Sequence, residues 1–255
     1  MMRHIKKVLI IIIAILSFGV IFIVNGVVER ITIDKELNDF KDRAVFVIER
    51  GNTRYYEVKA EYDYEDTSRH IKDSISDIQI GATGDIYVTS RNPVPGSVFL
   101  GFVSKLTWIG HAGLVIDDKG RETIEIVGNV NRESNVVKAY ENTWIEGGKY
   151  TDQIAVLRIK DTTEKQRDMM VEYAESKIGM PYNYTFLFNR KNSFYCSDLV
   201  SRAVAHAGIN INYDHLATTG SDMIVSENTY LIYYRERISD NRFAVYYLTE
   251  GDHNA

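Results

Sequence analysis

The sequence has 255 residues, a formal net charge of −5 and 45% hydrophobic residues. Such a composition supports a sizeable hydrophobic core and is unlike that of an intrinsically disordered chain. No block of basic residues occurs beyond the extreme N-terminus, so the charge pattern does not indicate nucleic-acid binding. The chain contains a single cysteine, which excludes an internal disulfide.

The N-terminus has the pattern of a membrane anchor. Three basic residues within 1–7 are followed by 8–28, a stretch of 21 residues without a charge. As a helix this stretch would be about 31 Å long, which is enough to span a bilayer. Because basic residues stay on the cytoplasmic side, we expect a single-pass protein with a cytoplasmic tail and an extracytoplasmic remainder. The alternative is a signal peptide, but the segment 22–26 lacks an Ala-x-Ala-like cleavage site.

The next region, 29–80, carries no recognisable chemistry, and we interpret it as an extracytoplasmic spacer. A short helix is expected over 33–41. The segments 44–49 and 54–60 have strand composition and flank a Gly-Asn turn, which predicts a hairpin. The stretch 61–77 is rich in Asp, Glu and Ser, which indicates a solvated connection.

The remaining part, 81–255, mixes strands and helices. Apolar segments bounded by turn residues predict strands at 86–89, 109–116, 122–127 and 154–159. Thr163 and Gln166 have capping-box spacing, which predicts a helix that runs to Lys177. Strands and helices without β-α-β alternation indicate an α+β domain.

Cys196 begins a second predicted helix. The apolar residues after it recur at three- and four-residue steps and therefore share one helical face: Leu199, Val200, Ala203, Val204 and Ala207. In the first turn of a helix, a thiol loses its proton more easily because the helix dipole favours a negative group. The thiolate is the nucleophilic form, so Cys196 is a candidate nucleophile. The alternative is that Cys196 is a small buried hydrophobic residue.

A cysteine nucleophile needs a base and a group that orients the base. His111 begins an apolar segment, and Glu125 lies on the segment that returns beside it through the turn at 117–120. A carboxylate on the neighbouring strand would fix the tautomer of the imidazole and stabilise its protonated form. The alternatives are a structural histidine and an outward-facing glutamate on a half-exposed sheet.

Four motifs in sequence order resemble the permuted NlpC-type papain-like cysteine hydrolases, in particular their YiiX-like branch. They are Gly84-Asp85-Ile86, Gly110-His111-Ala112-Gly113-Leu114-Val115-Ile116, Gly179-Met180-Pro181-Tyr182 and Tyr195-Cys196-Ser197-Asp198-Leu199-Val200. In the ordinary NlpC order the cysteine helix precedes the histidine strand. Here the histidine comes first, as in the permuted branch. The resemblance covers roughly 81–216, about half of the chain.

The resemblance implies a papain-like, circularly permuted hydrolase domain over 81–255. Cys196 would be the nucleophile, His111 the base and Glu125 the orienting third residue of the catalytic group. Tyr182 matches the family tyrosine near the oxyanion site, although a packed aromatic residue is its ordinary explanation. The resemblance implies no metal and no organic cofactor.

The expected function is that of a membrane-anchored extracytoplasmic cysteine hydrolase that cleaves amide bonds of cell-wall peptides. Three alternatives remain open. One is a hydrolase or acyltransferase on lipid esters or amides, and another is a non-catalytic peptide- or lipid-binding module of the same fold. The third is a structural membrane protein whose single cysteine only packs. The lipid alternative draws support from apolar residues that precede the histidine and the cysteine in sequence, namely Phe99, Leu100, Phe102, Val103, Phe186, Leu187 and Phe188.

Overall fold

A computed structural model describes most of the chain. The described residues are 2–76, 78–90, 108, 110–128, 135–145, 153–185, 190–213 and 217–250. Within the N-terminal helix, the side chains at 2–5, 8–12, 14–16 and 18–23 are outside this description. The apolar residues predicted to flank the site, at 99–103 and 186–188, also lie outside the described residues.

The centre of the fold is one mixed sheet, with nine strands in the described residues. The strands are β1 (Ala44–Arg50), β2 (Thr53–Lys59), β3 (Ile86–Thr89), β4 (His111–Val115), β5 (Glu122–Glu125), β6 (Lys138–Glu141), β7 (Ile154–Ile159), β8 (Thr229–Ser239) and β9 (Arg242–Thr249). Their order in the sheet is β1-β2-β9-β8-β7-β3-β4-β5-β6. Neighbouring strands are antiparallel except β2 and β9, which are parallel.

Four helices accompany the sheet in the described part of the chain: α1 (Met2–Asp42), α2 (Glu164–Glu175), α3 (Cys196–His206) and α4 (Gly220–Val225). The predicted capping box is confirmed, since the Thr163 side chain accepts from the backbone N–H of Gln166 and the Gln166 side chain accepts in return. The helix ends two residues before the predicted Lys177. Helices beside a largely antiparallel sheet confirm the predicted α+β class.

The helix α1 is longer than the sequence pattern predicts at its C-terminal end, because the short helix expected over 33–41 is part of it. Ile33, Leu37 and Phe40 are buried and lie on one helical face, which packs against α4 and β8. Across the residues that the structure describes, no helix is both long enough and apolar enough to cross a membrane. Most side chains of the predicted anchor, 8–28, lie outside those residues.

The predicted hairpin around Gly51 is confirmed as the antiparallel pair β1 and β2. It belongs to the same sheet as the rest of the fold, because β2 pairs along its whole length with β9. The region 29–80 is joined to the rest of the fold a second time through the fully buried Arg158. This side chain binds Asp85 at 2.7 Å and donates to the backbone carbonyls of Asp66 and His70. Residues 29–80 therefore contribute strands and a buried contact to the domain.

The residues predicted to be catalytic lie where α3 packs against β4. The apolar face predicted for this helix is buried, with Leu199, Val200, Ala203 and Val204 in the main core. The helix α3 also contacts α2, whose Met170 and Ala174 belong to the same core. This packing fixes the N-terminal end of α3 against the first residue of β4, which is His111.

Candidate active site

Cys196 is the first residue of α3, as predicted, and its side chain is half-buried. The sulfur lies within hydrogen-bond reach of the His111 side chain and of the backbone N–H groups of Ala112 and Ser197. Burial raises the pKa of the thiol, but these donors, His111 foremost, lower it, and the net pKa lies below the ordinary value. The geometry therefore favours a thiolate at this position.

His111 lies between the cysteine and the carboxylate. Its Nε2 is 2.6 Å from Oε2 of Glu125, which leaves Nδ1 as the ring nitrogen for Cys196. Burial lowers the pKa of His111, but the contacts with Cys196 and Glu125 outweigh it and raise the pKa to about 10. The ring is therefore favoured as an imidazolium, and its charge in turn favours the thiolate form of Cys196.

Strand register explains why Glu125 reaches His111. In the pairing of β4 with β5, Glu125 is directly opposite Gly113, and His111 is two residues before Gly113 on the same face. A β-carbon at Gly113 would lie 2.9 Å from Cγ of Glu125. Because glycine leaves that space empty, the glutamate side chain can extend along the face to the imidazole.

Glu125 is buried, and each of its oxygens is hydrogen-bonded. Oε2 faces His111, while Oε1 accepts from Oγ1 of Thr123 at 2.5 Å and from Nε1 of Trp144 at 2.6 Å. Burial raises the pKa of the carboxyl, but the His111 contact and the two donors bring the net pKa below the ordinary value. Glu125 is therefore an anion beside the imidazolium.

Tyr182 lies close enough to Cys196 to interact with it electrostatically. The backbone places it there through a parallel bridge with Phe194, two residues before the cysteine. Its ring packs over Gly128, where a β-carbon would be 2.8 Å from Cζ of the tyrosine. Burial, followed by the charge of Cys196, raises the pKa of Tyr182, so its hydroxyl keeps its proton and can donate.

The structure thus brings together all four residues that the sequence singled out, namely Cys196, His111, Glu125 and Tyr182. Sequence reasoning missed Thr123 and Trp144. Thr123 lies two residues before Glu125 on the same strand, so the period of two could have indicated it. Trp144 follows β6 and has no local signal, because its contacts with the site are tertiary. Within the described residues, no three His, Cys, Asp or Glu side chains are grouped to hold a metal ion.

Comparison with known proteins finds a match between this chain and one family model. A family model described as "Permuted papain-like amidase enzyme, YaeF/YiiX, C92 family" matches residues 82–244, well over half of the chain. A solved structure, that of the metalloprotein yiiX from Escherichia coli O157:H7, is 20% identical over 59% of this chain and 88% of that chain, with a TM-score of 0.38. No curated protein matches.

The family match confirms the resemblance that the four sequence motifs indicate. It covers the candidate nucleophile, base, carboxylate and tyrosine, and it begins after β1 and β2. This chain belongs to the YaeF/YiiX family of permuted papain-like amidases, the C92 family.

Proposed function

We propose that the protein is a cysteine hydrolase that cleaves amide bonds of cell-wall peptides, with Cys196 as nucleophile and His111 as general base and acid. Glu125 orients His111. The observation that carries this proposal is the continuous contact from Cys196 through His111 to Glu125, at the junction of a helix N-terminus and a strand. Membership of an amidase family supports the reaction class.

The proposed reaction begins with the thiolate of Cys196, whose proton is held by His111. The sulfur attacks the carbonyl carbon of the scissile amide, and the amine leaves with the proton that the imidazolium donates. The product is a thioester of Cys196. His111 then takes a proton from water, the hydroxide attacks the thioester, and the acid and the thiolate are released.

The oxyanion of each tetrahedral intermediate needs donors close to Cys196. We assign this role to the backbone N–H of Cys196, because N–H groups at a helix start point away from the helix and carry partial positive charge. Tyr182 is a second candidate for this role, since its protonated hydroxyl can donate and the tyrosine interacts electrostatically with Cys196.

The proposed site of action is outside the cytoplasm, with the uncharged stretch 8–28 as a single-pass membrane anchor. The support is the length of that stretch and the basic residues before it. An extracytoplasmic domain beside the membrane would meet wall peptides. Acyl-lipid esters or amides are the competing substrate class, because apolar residues precede both the histidine and the cysteine in sequence.

The test is to incubate the full-length protein in detergent with wall-peptide fragments and, separately, with acyl lipids of increasing chain length, and to identify products by mass spectrometry. We expect cleavage of a wall-peptide amide and kcat/KM values that do not change with acyl-chain length. Cys196→Ala should abolish turnover, His111→Ala should reduce it by several orders of magnitude, and Glu125→Gln should reduce it less. Full turnover by Cys196→Ala would refute the nucleophile, and acyl-chain-dependent turnover alone would favour lipids.

A further inference from the structure

The contacts of Trp144 reach both members of the pair that activates the nucleophile. Its Nε1 donates to Oε1 of Glu125 at 2.6 Å, and its ring is parallel to the His111 ring, with centroids 5.2 Å apart and an interplanar angle of 5°. The same side chain therefore contacts the carboxylate through its edge and the imidazole through its face.

The edge contact controls which oxygen of Glu125 is available to the histidine. Oε1 is held by the indole N–H and by the Thr123 hydroxyl, so Oε2 is the oxygen that faces His111. A buried carboxylate depends on such donors, because unsatisfied charge in the interior is costly. Without the indole donor, Oε1 keeps only the Thr123 hydroxyl, so the carboxylate is less firmly held about its terminal torsion and its alignment with His111 is weakened.

The face contact limits the orientation of the imidazole. A parallel ring prevents His111 from tilting out of the plane that joins Cys196 to Glu125, and the electron-rich indole face attracts the imidazolium form. Both contacts favour the charged, aligned state of the histidine.

Trp144 is itself held in place by a buried support. Its backbone N–H donates to Oδ1 of Asn142, whose Nδ2 donates to the carbonyl of Gly120 and to the hydroxyl of Tyr87. The Tyr87 ring packs at 5.2 Å from the indole, and Trp144 is 1% exposed. A side chain fixed in this way can hold the groups that it contacts in a defined orientation.

We propose that Trp144 is the positioning residue of this site, which holds Glu125 by its N–H and His111 by its ring so that the base stays aligned with Cys196. This inference rests on the proposed function.

The test is Trp144→Phe in the full-length protein, which keeps an aromatic face but removes the donor. We expect kcat to fall by about tenfold with KM unchanged, because a hydrogen bond to a charged group is lost while the substrate contacts remain. The rate of Cys196 alkylation by iodoacetamide at pH 7 should fall in parallel, which gives a readout that needs no substrate. Trp108→Phe is the matched control, since Trp108 is also fully buried but its N–H has no partner among the described residues.

A double-mutant cycle separates positioning from simple structural support. If Trp144 acts through the carboxylate, Trp144→Phe should cost much less in a Glu125→Gln background than in the wild type. Equal costs in the two backgrounds, or wild-type kcat and alkylation rate in folded Trp144→Phe, would overturn the proposal. Loss of turnover in Cys196→Ala together with normal Trp144→Phe would refute this inference alone, whereas full turnover in Cys196→Ala would refute the proposed function.

A spectroscopic measurement covers the case in which Trp144→Phe does not fold. The chain has two tryptophans, and a stacked imidazolium quenches indole fluorescence. His111→Ala should therefore increase the emission at neutral pH relative to the wild type, in a protein that retains Trp144. Identical emission from the two folded proteins would contradict the stacking contact and with it the proposal.

Discussion

At Cys196 two opposing effects act on the pKa of the thiol, since burial raises it and the hydrogen bond with His111 lowers it. His111→Ala leaves the burial and removes the largest opposing contact, so the thiol pKa should move upward. We expect the pH profile of iodoacetamide alkylation to move to higher pH. The rate at neutral pH should fall by about tenfold for every pH unit that the profile moves, because only the thiolate reacts.

The matched control for that experiment is His206→Ala, which removes an exposed histidine from the C-terminal end of the same helix. Its alkylation profile should coincide with that of the wild type. A wild-type profile for His111→Ala would mean that the thiolate is stabilised by the helix N-terminus and the backbone donors alone.

Gly113 determines whether the carboxylate can reach the histidine. An added β-carbon would lie 2.9 Å from Cγ of Glu125 and 3.3 Å from a ring carbon of Trp144, so the glutamate would have to move. We expect Gly113→Ala to reduce kcat/KM at least as much as Glu125→Gln, by about ten- to hundredfold, because the charge-assisted contact with His111 is lost. Circular dichroism would verify the fold, and a folded Gly113→Ala protein with wild-type kcat/KM would contradict the importance of this contact.

At the scale of single elements, α2 packs against the α3 helix that carries Cys196. Its N-terminal capping box is formed by Thr163 and Gln166. Thr163→Ala should lower the free energy of unfolding by about 1 kcal/mol while leaving kcat/KM unchanged. Chemical denaturation checks the first expectation, and the exposed neighbour variant Lys165→Ala is the control. A loss of activity without a loss of stability would show that α2 influences the site directly.

Elements with a complete local signal could be predicted from the sequence. The helix α3 follows from apolar spacing after Cys196, and the pairing of β4 with β5 follows from two apolar segments around a turn with a glycine. The strands β8 and β9 did not emerge, because their burial does not alternate: the first seven residues of β8 are all buried, polar and aromatic ones alike, and β9 has no period of two. Which of their residues are buried depends on the pairing of β8 with β7 and of β9 with β2, and this tertiary pairing cannot be read from the local sequence.

The residues of the candidate site also fall into those that the sequence predicts and those that it does not. Cys196 and His111 were predictable because each begins an element, and Glu125 because its strand returns beside the histidine. Trp144 was not, since it follows an exposed edge strand and reaches the site only after β6 has paired with β5. Local sequence therefore predicts which chemical groups are present, while the contacts that orient them depend on packing.

At the scale of the whole molecule, the sheet extends beyond the family match. The match begins at residue 82, whereas the sheet already contains β1 and β2 from residues 44–59. The parallel pairing of β2 with β9 and the buried contacts of Arg158 join this N-terminal part to the rest. The region 29–80 is therefore continuous with the domain, which would hold the domain close to the proposed anchor.

The helix α1 combines the proposed anchor with part of the core, and deletions can separate the two. Ile33, Leu37 and Phe40 are buried against the domain, and burying each such side chain is worth about 1.5–3 kcal/mol. Removal of residues 2–23 leaves these three side chains in place and should release an active, soluble protein. Removal of 2–42 takes them away and should leave an insoluble protein, because the lost burial approaches a typical stability of about 5–15 kcal/mol.

Membrane fractionation tests the same division. Full-length protein should remain with membranes after a high-salt or alkaline wash, as expected for an uncharged stretch of 21 residues within a helix. The variant without 2–23 should appear in the supernatant with unchanged turnover. Recovery of the full-length chain in the wash would refute the anchor. Recovery of a soluble species that lacks about the first thirty residues would instead identify a cleaved signal peptide.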